Sequence, residues 1–350
     1  MKLFSPLNNK DRIILFERLE LYISAGLSLD KALHIIGQAS TKHQRLCLFR
    51  IREDVMSGGL LSKSFAKHIG VSKTLSGLIE HGESSGQLLR ALTISRAMLE
   101  KQGDASRKCA SALIYPSIIA VFASLLTIGL VRGVMPQITP MLRSLNIELP
   151  LLTRIVMAVS EHLVTYGLYV FVVLCGVTVL FVILYGKIKR FRYISQSLFI
   201  RVPIIGYLLY SYSLSLFLQS LGSLVESGMS VPRSYTDTVS TLSLIPFQKV
   251  LQHNSPDIHK GVSCGLVLAH VSKRIPAYVP SLLSAGEASG TLGASLIRAA
   301  SIIDRDMDHS LKRLTSLIEP IMMIGMGCTV GSIALSIMMP IYDISKVLQQ

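Results

Sequence analysis

Charge is what this sequence has least of. Only 16% of its 350 residues are Asp, Glu, Lys or Arg, half are hydrophobic, and the mean hydropathy is +0.51. Soluble domains carry about one quarter charged residues, so this shortage argues for membrane segments. Three strongly apolar stretches have no charged side chain at all: Cys109–Val131, His162–Gly186 and Pro320–Tyr342. A helix of about 20 apolar residues spans a ~30 Å hydrocarbon core, so each is long enough to cross. Cysteine is also scarce. The five (Cys47, Cys109, Cys175, Cys264 and Cys328) are scattered without a CxxC or other ligand spacing, which argues against a disulfide framework or a zinc site. They read as reduced, small apolar side chains. The opening MKLFSPLNNKDRIILFERLELY lacks an uninterrupted apolar core and a cleavage site, so it is not a secretory signal.

A fourth uncharged stretch, Val202–Val225, is weaker in hydropathy, with Pro203, Gly206, Gln219, Gly222 and five serines. It is read as a helix of a soluble bundle, which leaves three crossings. Positive charge gives the orientation. Residues 1–109 hold 17 Lys/Arg against 10 Asp/Glu, and residues 186–316 hold 14 against 7. KIKRFR at 187–192 directly follows the second apolar run, where the positive-inside rule acts. Both basic parts are therefore expected in the cytoplasm, with the neutral linker and the C-terminal tail outside. Acids and bases are mixed along both parts, unlike the concentrated basic face of a nucleic-acid binder. Nucleic acid is not an expected partner.

What is present in quantity is repetition. HGESSGQL at 81–88 returns as AGEASGTL at 285–292, so that Gly82, Glu83, Ser85, Gly86 and Leu88 reappear as Gly286, Glu287, Ser289, Gly290 and Leu292, each 204 positions on. LYISAGLSLDKAL at 21–33 matches SLVESGMSVPRSY at 223–235, with Gly26 answering Gly228. In the apolar runs Pro116 answers Pro320, and Pro136 answers Pro340. The chain is an internal duplication: domain, crossing, linker, crossing, domain, crossing. Helical periodicity runs through each copy, as at Ile13, Phe16, Leu19 and Ile23. Ala25-Gly26 should end that helix and Ser28 should cap the next. The expected fold is all-α. A helical bundle at 1–109 is followed by a crossing at 110–132, a periplasmic linker at 133–161 and a crossing at 162–186. A second bundle occupies 187–316, then a crossing at 317–340 and a short periplasmic tail at 341–350.

The Gly-Glu-x-Ser-Gly motif invites three chemical readings. A carboxylate pair, Glu80 with Glu83, would suit general acid/base work, but Ser284 replaces Glu80 in the second copy. A phosphate loop needs a lysine that neither copy has. A serine nucleophile at Ser84 fails because the second copy has Ala288 there. The remaining reading is architectural. Gly82 or Gly286 ends a helix in the left-handed conformation, and Ser84 with Gln87 forms a capping box on the next. Ser85, Gly86, Ser289 and Gly290 then allow close helix approach, and the glutamate lies near a helix N-terminus. His253, Asp257 and His259 are read as surface residues, the methionines of the last run as packing, and Gly327 with Gly331 as a helix-contact face. Glu319, at a membrane edge beside Pro320, is read either as an intramembrane functional carboxylate or as a group that reaches interfacial water. No catalytic residue, cofactor or metal is expected.

Together SAGLSLDKAL, GESSGQL, ESGMSVPRSY, GEASGTL, RVPIIGYLL and the crossings opened by Tyr115-Pro116 and Glu319-Pro320 resemble the type II secretion F family over about residues 10–342. The resemblance implies an inner-membrane platform of type IV pilus or type II secretion machines, with no catalysis of its own. Its implied partners are a cytoplasmic hexameric assembly ATPase docking on the first bundle, pilin or pseudopilin subunits, other inner-membrane assembly proteins, membrane lipid and further copies of the chain. The short start resembles the type IVb or conjugative-pilus branch, and the first copy lacks the Pro-x-x-Gly opening of the second. A small multi-pass transporter is the alternative, since transporters also carry internal repeats.

Overall fold

The computed structural model describes residues 7–129, 133, 151–272 and 274–347. Most of the expected linker (134–150), including Pro136, and residues 348–350 of the tail lie outside these, as do the side chains of Cys109 and Pro340. Among the described residues every regular element is helical, and the chain is all-α. The first copy contributes α1 (Asn9–Ser24), α2 (Leu29–Gln38), α3 (Lys42–Met56), α4 (Leu61–His68), α5 (Lys73–Ser84) and α6 (Leu88–Gly129). α7 (Leu151–Lys187) and α8 (Lys189–Arg201) follow. The second copy has α9 (Pro203–Glu226), α10 (Val231–Thr241), α11 (Ile245–His253), α12 (Ser255–His259), α13 (Cys264–Val271), α14 (Tyr278–Ala288) and α15 (Leu292–Val347).

Local chemistry explains many boundaries. Ser72 accepts from the Leu75 N–H at 3.3 Å to start α5, and Thr41 with Gln44 forms a capping box on α3. Gly26 and Gly228 have φ of +84° and +95° and follow α1 and α9, so the expected helix ends stand where the duplication puts them. Ser28 occupies the expected cap position of α2 but makes no side-chain hydrogen bond to it.

The chain forms two compact units, Met1–Lys108 with Tyr193–His309, and Cys109–Arg192 with Ser310–Gln350. The first unit holds both helical copies, each around its own core. Phe16, Leu33, Ile51, Phe65 and Leu78 fill the first, with Phe16 and Phe65 edge-to-face at 5.5 Å. Phe217, Tyr235, Phe247, Leu268 and Leu296 fill the second, where Phe217 meets Tyr235 edge-to-face at 5.5 Å. The Tyr235 hydroxyl donates to the Leu251 carbonyl at 3.0 Å, and burial pushes its ionisation well above the usual range. Leu224 and Met229, from the second copy, are buried in the first core. The two bundles therefore share packing within one unit.

Two helices among the described residues are long and apolar enough to cross a membrane, Pro203–Glu226 and Leu292–Ser332. In α9, however, Leu214, Phe217, Leu218, Leu221 and several serines are buried in the bundle. Its first turns are more open, with Ile204 and Ile205 exposed. The first two expected crossings fall in α6 and α7, whose shorter apolar portions run Ile114–Gly129 and Cys175–Lys187. In the second unit, Pro116 lies inside α6, and the Tyr115 hydroxyl donates to Glu319 at 3.3 Å. These two positions are equivalents in the duplication. Pro320 lies within α15.

Candidate functional site

The repeated motif forms the same clasp twice. α4 begins after Leu60, which has no side-chain acceptor, so its first N–H groups lack a local cap. Glu83, from the end of α5, supplies it: the Leu61 N–H donates to one carboxylate oxygen at 2.6 Å and the Ser62 N–H to the other at 3.2 Å. In the second copy the Cys264 N–H donates to Glu287 at 2.6 Å, and the Ser263 hydroxyl donates to its other oxygen. A carboxylate across a helix N-terminus satisfies orphan donors and meets the positive end of the dipole. Each clasp ties the end of α5 or α14 to a helix that starts more than 20 residues earlier in the sequence. Burial, followed by the nearby Glu287 charge, pushes the Cys264 thiol up to about 12.

The glycines and serines exchange the roles expected of them. Gly82 is helical and buried within α5 rather than ending it, and Gly286 is likewise inside α14. The positive φ, +71° in both copies, belongs to Gly86 and Gly290. Conversely, nothing lies within 4 Å of a Cβ added at Gly86 or Gly290, whereas one at Gly82 would collide with Ala91 and one at Gly286 with Ser295. Close helix approach therefore rests on the first glycine and chain reversal on the last. Ser84 does not cap α6. It is the last residue of α5, and its hydroxyl donates to the His81 carbonyl at 3.0 Å. Ser85 and Ser289 bond back in the same way, to His81 and Ala285 carbonyls at 2.7 and 2.9 Å. The glutamates do meet a helix N-terminus as expected, but that of α4 or α13 and not of the helix that follows.

Contacts between the copies surround the first clasp. His81 Nε2 lies 3.0 Å from the Ser227 carbonyl, Arg90 donates to the Glu226 carbonyl at 3.0 Å, and Arg233 pairs with Glu80 at 3.4 Å. The Thr74 and Thr241 hydroxyls meet at 2.9 Å. Lys101 pairs with Asp304 at 2.8 Å and donates to Gln219 at 2.9 Å. Glu80 and Glu83 thus serve different partners and do not form a working carboxylate pair. His81 faces a carbonyl rather than either serine. Elsewhere, His259 meets Thr236 at 3.2 Å and Asp257 pairs with Lys260 at 3.4 Å. Chemically each clasp is a fastening that holds the start of α4 to the end of α5, or the start of α13 to the end of α14.

The family described as Type II secretion system (T2SS), protein F matches residues 16–136 and again 217–340. That is once per copy of the duplication, over most of the chain. This chain belongs to the type II secretion system protein F family. Among its F-family relatives, "Type IV pilus assembly protein PilC" of Thermus thermophilus is 31% identical over 336 residues, covering 96% of this chain and 82% of that protein. The protein of the same name in Pseudomonas aeruginosa is 25% identical over 338 residues, covering 96% and 90%. "Type II secretion system protein F" of Xanthomonas campestris pv. campestris is 25% identical over 343 residues, covering 97% and 84%. In this F-family chain the residues that sequence reasoning missed are the partners of the glutamates: Leu61, Ser62, Ser263 and Cys264. The apolar Leu60 at a helix start was the available signal, because it leaves donors that something distant must satisfy.

Proposed function

We propose that this chain is a non-enzymatic platform in the inner membrane of a bacterium, serving type IV pilus biogenesis or type II secretion. The observation that carries the proposal is the family match, made twice at the spacing of the internal duplication. The names of the relatives, a type IV pilus assembly protein and a type II secretion system protein, support the same reading.

In this reading the chain crosses three times, at 110–132, 162–186 and 317–340, with both bundles in the cytoplasm. The excess of Lys and Arg over Asp and Glu in both bundles supports that orientation. A cytoplasmic hexameric assembly ATPase docks on the first bundle. Its motion passes through α6 and α15 to the membrane, where pilin or pseudopilin subunits are extracted and polymerised. Glu83 and Glu287 have a mechanical part: they hold α4 and α13 against the helices that lead into α6 and α15, so that displacement of a bundle is transmitted rather than absorbed. Other inner-membrane assembly proteins and further copies of the chain complete the platform.

Co-purification of the full chain in mild detergent with the host's assembly ATPase tests the proposal. A stable complex, weakened by substitutions on the exposed surface of the first bundle, is expected. No complex, together with solute uptake by the reconstituted chain, would instead establish the transporter alternative.

A further inference from the structure

We infer that α8, with the turn leading into α9, is an interfacial helix that seats in the headgroup layer of an anionic bilayer. The helix is built inside out. Gln196 is only 6% exposed; it donates to the Ser243 carbonyl at 3.0 Å and accepts from the Ile245 N–H at 2.9 Å. Its polar side therefore faces the bundle. Ile194 and Leu198, four apart on the helix, are 64% and 63% exposed, and Val202 in the turn and Ile205 in the first turn of α9 are exposed as well. In a helix facing water the two sides would be reversed.

Two further features say what covers that row. The flanks are cationic, with Lys187, Lys189, Arg190, Arg192 and Arg201, while no Asp or Glu occurs anywhere from His162 to Val225. An apolar row bordered by bases and free of acids complements anionic headgroups above acyl chains. The chain also arrives from a membrane segment: the apolar part of α7 ends at Lys187, and α8 begins at Lys189. No length of chain separates the helix from the interface. The inference rests on the membrane location of α6 and α7 and goes beyond it, since a basic flank alone needs no outward apolar row.

The chain contains no tryptophan, so a single introduced one reports without background. Leu198→Trp, Ile194→Trp, Phe122→Trp (in the first expected crossing) and Met56→Trp (exposed on α3) would be made in the full chain. Each would be reconstituted in bilayers of phosphatidylglycerol with acyl-brominated phosphatidylcholine, and compared with unbrominated bilayers. Emission from Leu198→Trp and Ile194→Trp should be blue-shifted and lose about half its intensity to bromine. Phe122→Trp should be quenched at least as strongly, and Met56→Trp should be untouched. Quenching at position 122 with none at 194 and 198 would overturn the interfacial helix while leaving the membrane reading intact. A blue shift at 198 without quenching would mean a protein partner and would equally overturn it. No quenching at any of the four would remove the membrane reading and this inference together.

Discussion

Replacing Glu83 with Gln changes one oxygen into a nitrogen and nothing else in shape, which makes it the sharpest test of the clasp. The carboxylate accepts from two backbone N–H groups, Leu61 at 2.6 Å and Ser62 at 3.2 Å. A hydrogen bond to a charged acceptor contributes about 1.5–3 kcal/mol against about 1 kcal/mol for a neutral one, and the helix dipole adds about 0.3–1 kcal/mol. The amide keeps one neutral bond, turns a donor toward the second N–H and loses the charge. The net local loss is about 2 kcal/mol, which corresponds to roughly 30-fold faster exchange if opening is local. Hydrogen–deuterium exchange on the full chain in detergent, read at Leu61 and Ser62, should show that acceleration. Peptides from α2, whose hydrogen bonds do not involve Glu83, should be unchanged. Unaltered exchange at Leu61 and Ser62 in Glu83→Gln would refute the capping argument. A uniform rise across the whole first bundle would show global destabilisation instead.

The second clasp makes a chemical prediction: Cys264 should resist alkylation in the folded chain, and Glu287→Gln should raise its modification rate several-fold, read by peptide mass spectrometry, as the start of α13 opens. Gly82→Ala should destabilise the full chain by about 1–3 kcal/mol because its Cβ collides with Ala91. Gly86→Ala, with open space but φ of +71°, should cost only about 1 kcal/mol; thermal unfolding of the two variants gives the order. Asp54 accepts from Ser64, His68 and Lys67, which hold its carboxyl down at about 2. Because that value lies below the ordinary 3.8, its stabilisation is present above about pH 4 and lost as pH falls toward 2. Asp54→Asn should therefore lower stability at neutral pH, by less than about 1 kcal/mol for this partly exposed group, and the difference from wild type should shrink in acid titrations.

The duplication and the helical class were readable because their signals repeat: glycines that recur 202 or 204 positions on, and apolar residues every three or four positions. Gly26 and Gly228 illustrate this, since each ends an amphipathic pattern and has no other local use. The motif around Glu83 was readable only in part. Two glycines four apart can each supply either a left-handed turn or a close approach, and only the packing of Ala91 against Gly82 separates the roles. The glutamate's partner was hidden because it lies across the fold, where no periodicity extends. The burial of Leu224 and Met229 in the first copy's core was hidden for the same reason. For α9 the sequence pulls two ways: its charged counterpart in the first copy points to a bundle helix, and its apolar run is long enough to span a membrane.

The platform role of this chain is tested most directly by deleting its gene in the source bacterium and counting surface pili by electron microscopy, alongside the level of secreted protein. Loss of pili or of secretion is expected, with pilin or pseudopilin retained in the membrane and the assembly ATPase still hydrolysing ATP, and restoration by the wild-type chain. Normal piliation and normal secretion in the deletion strain would contradict it.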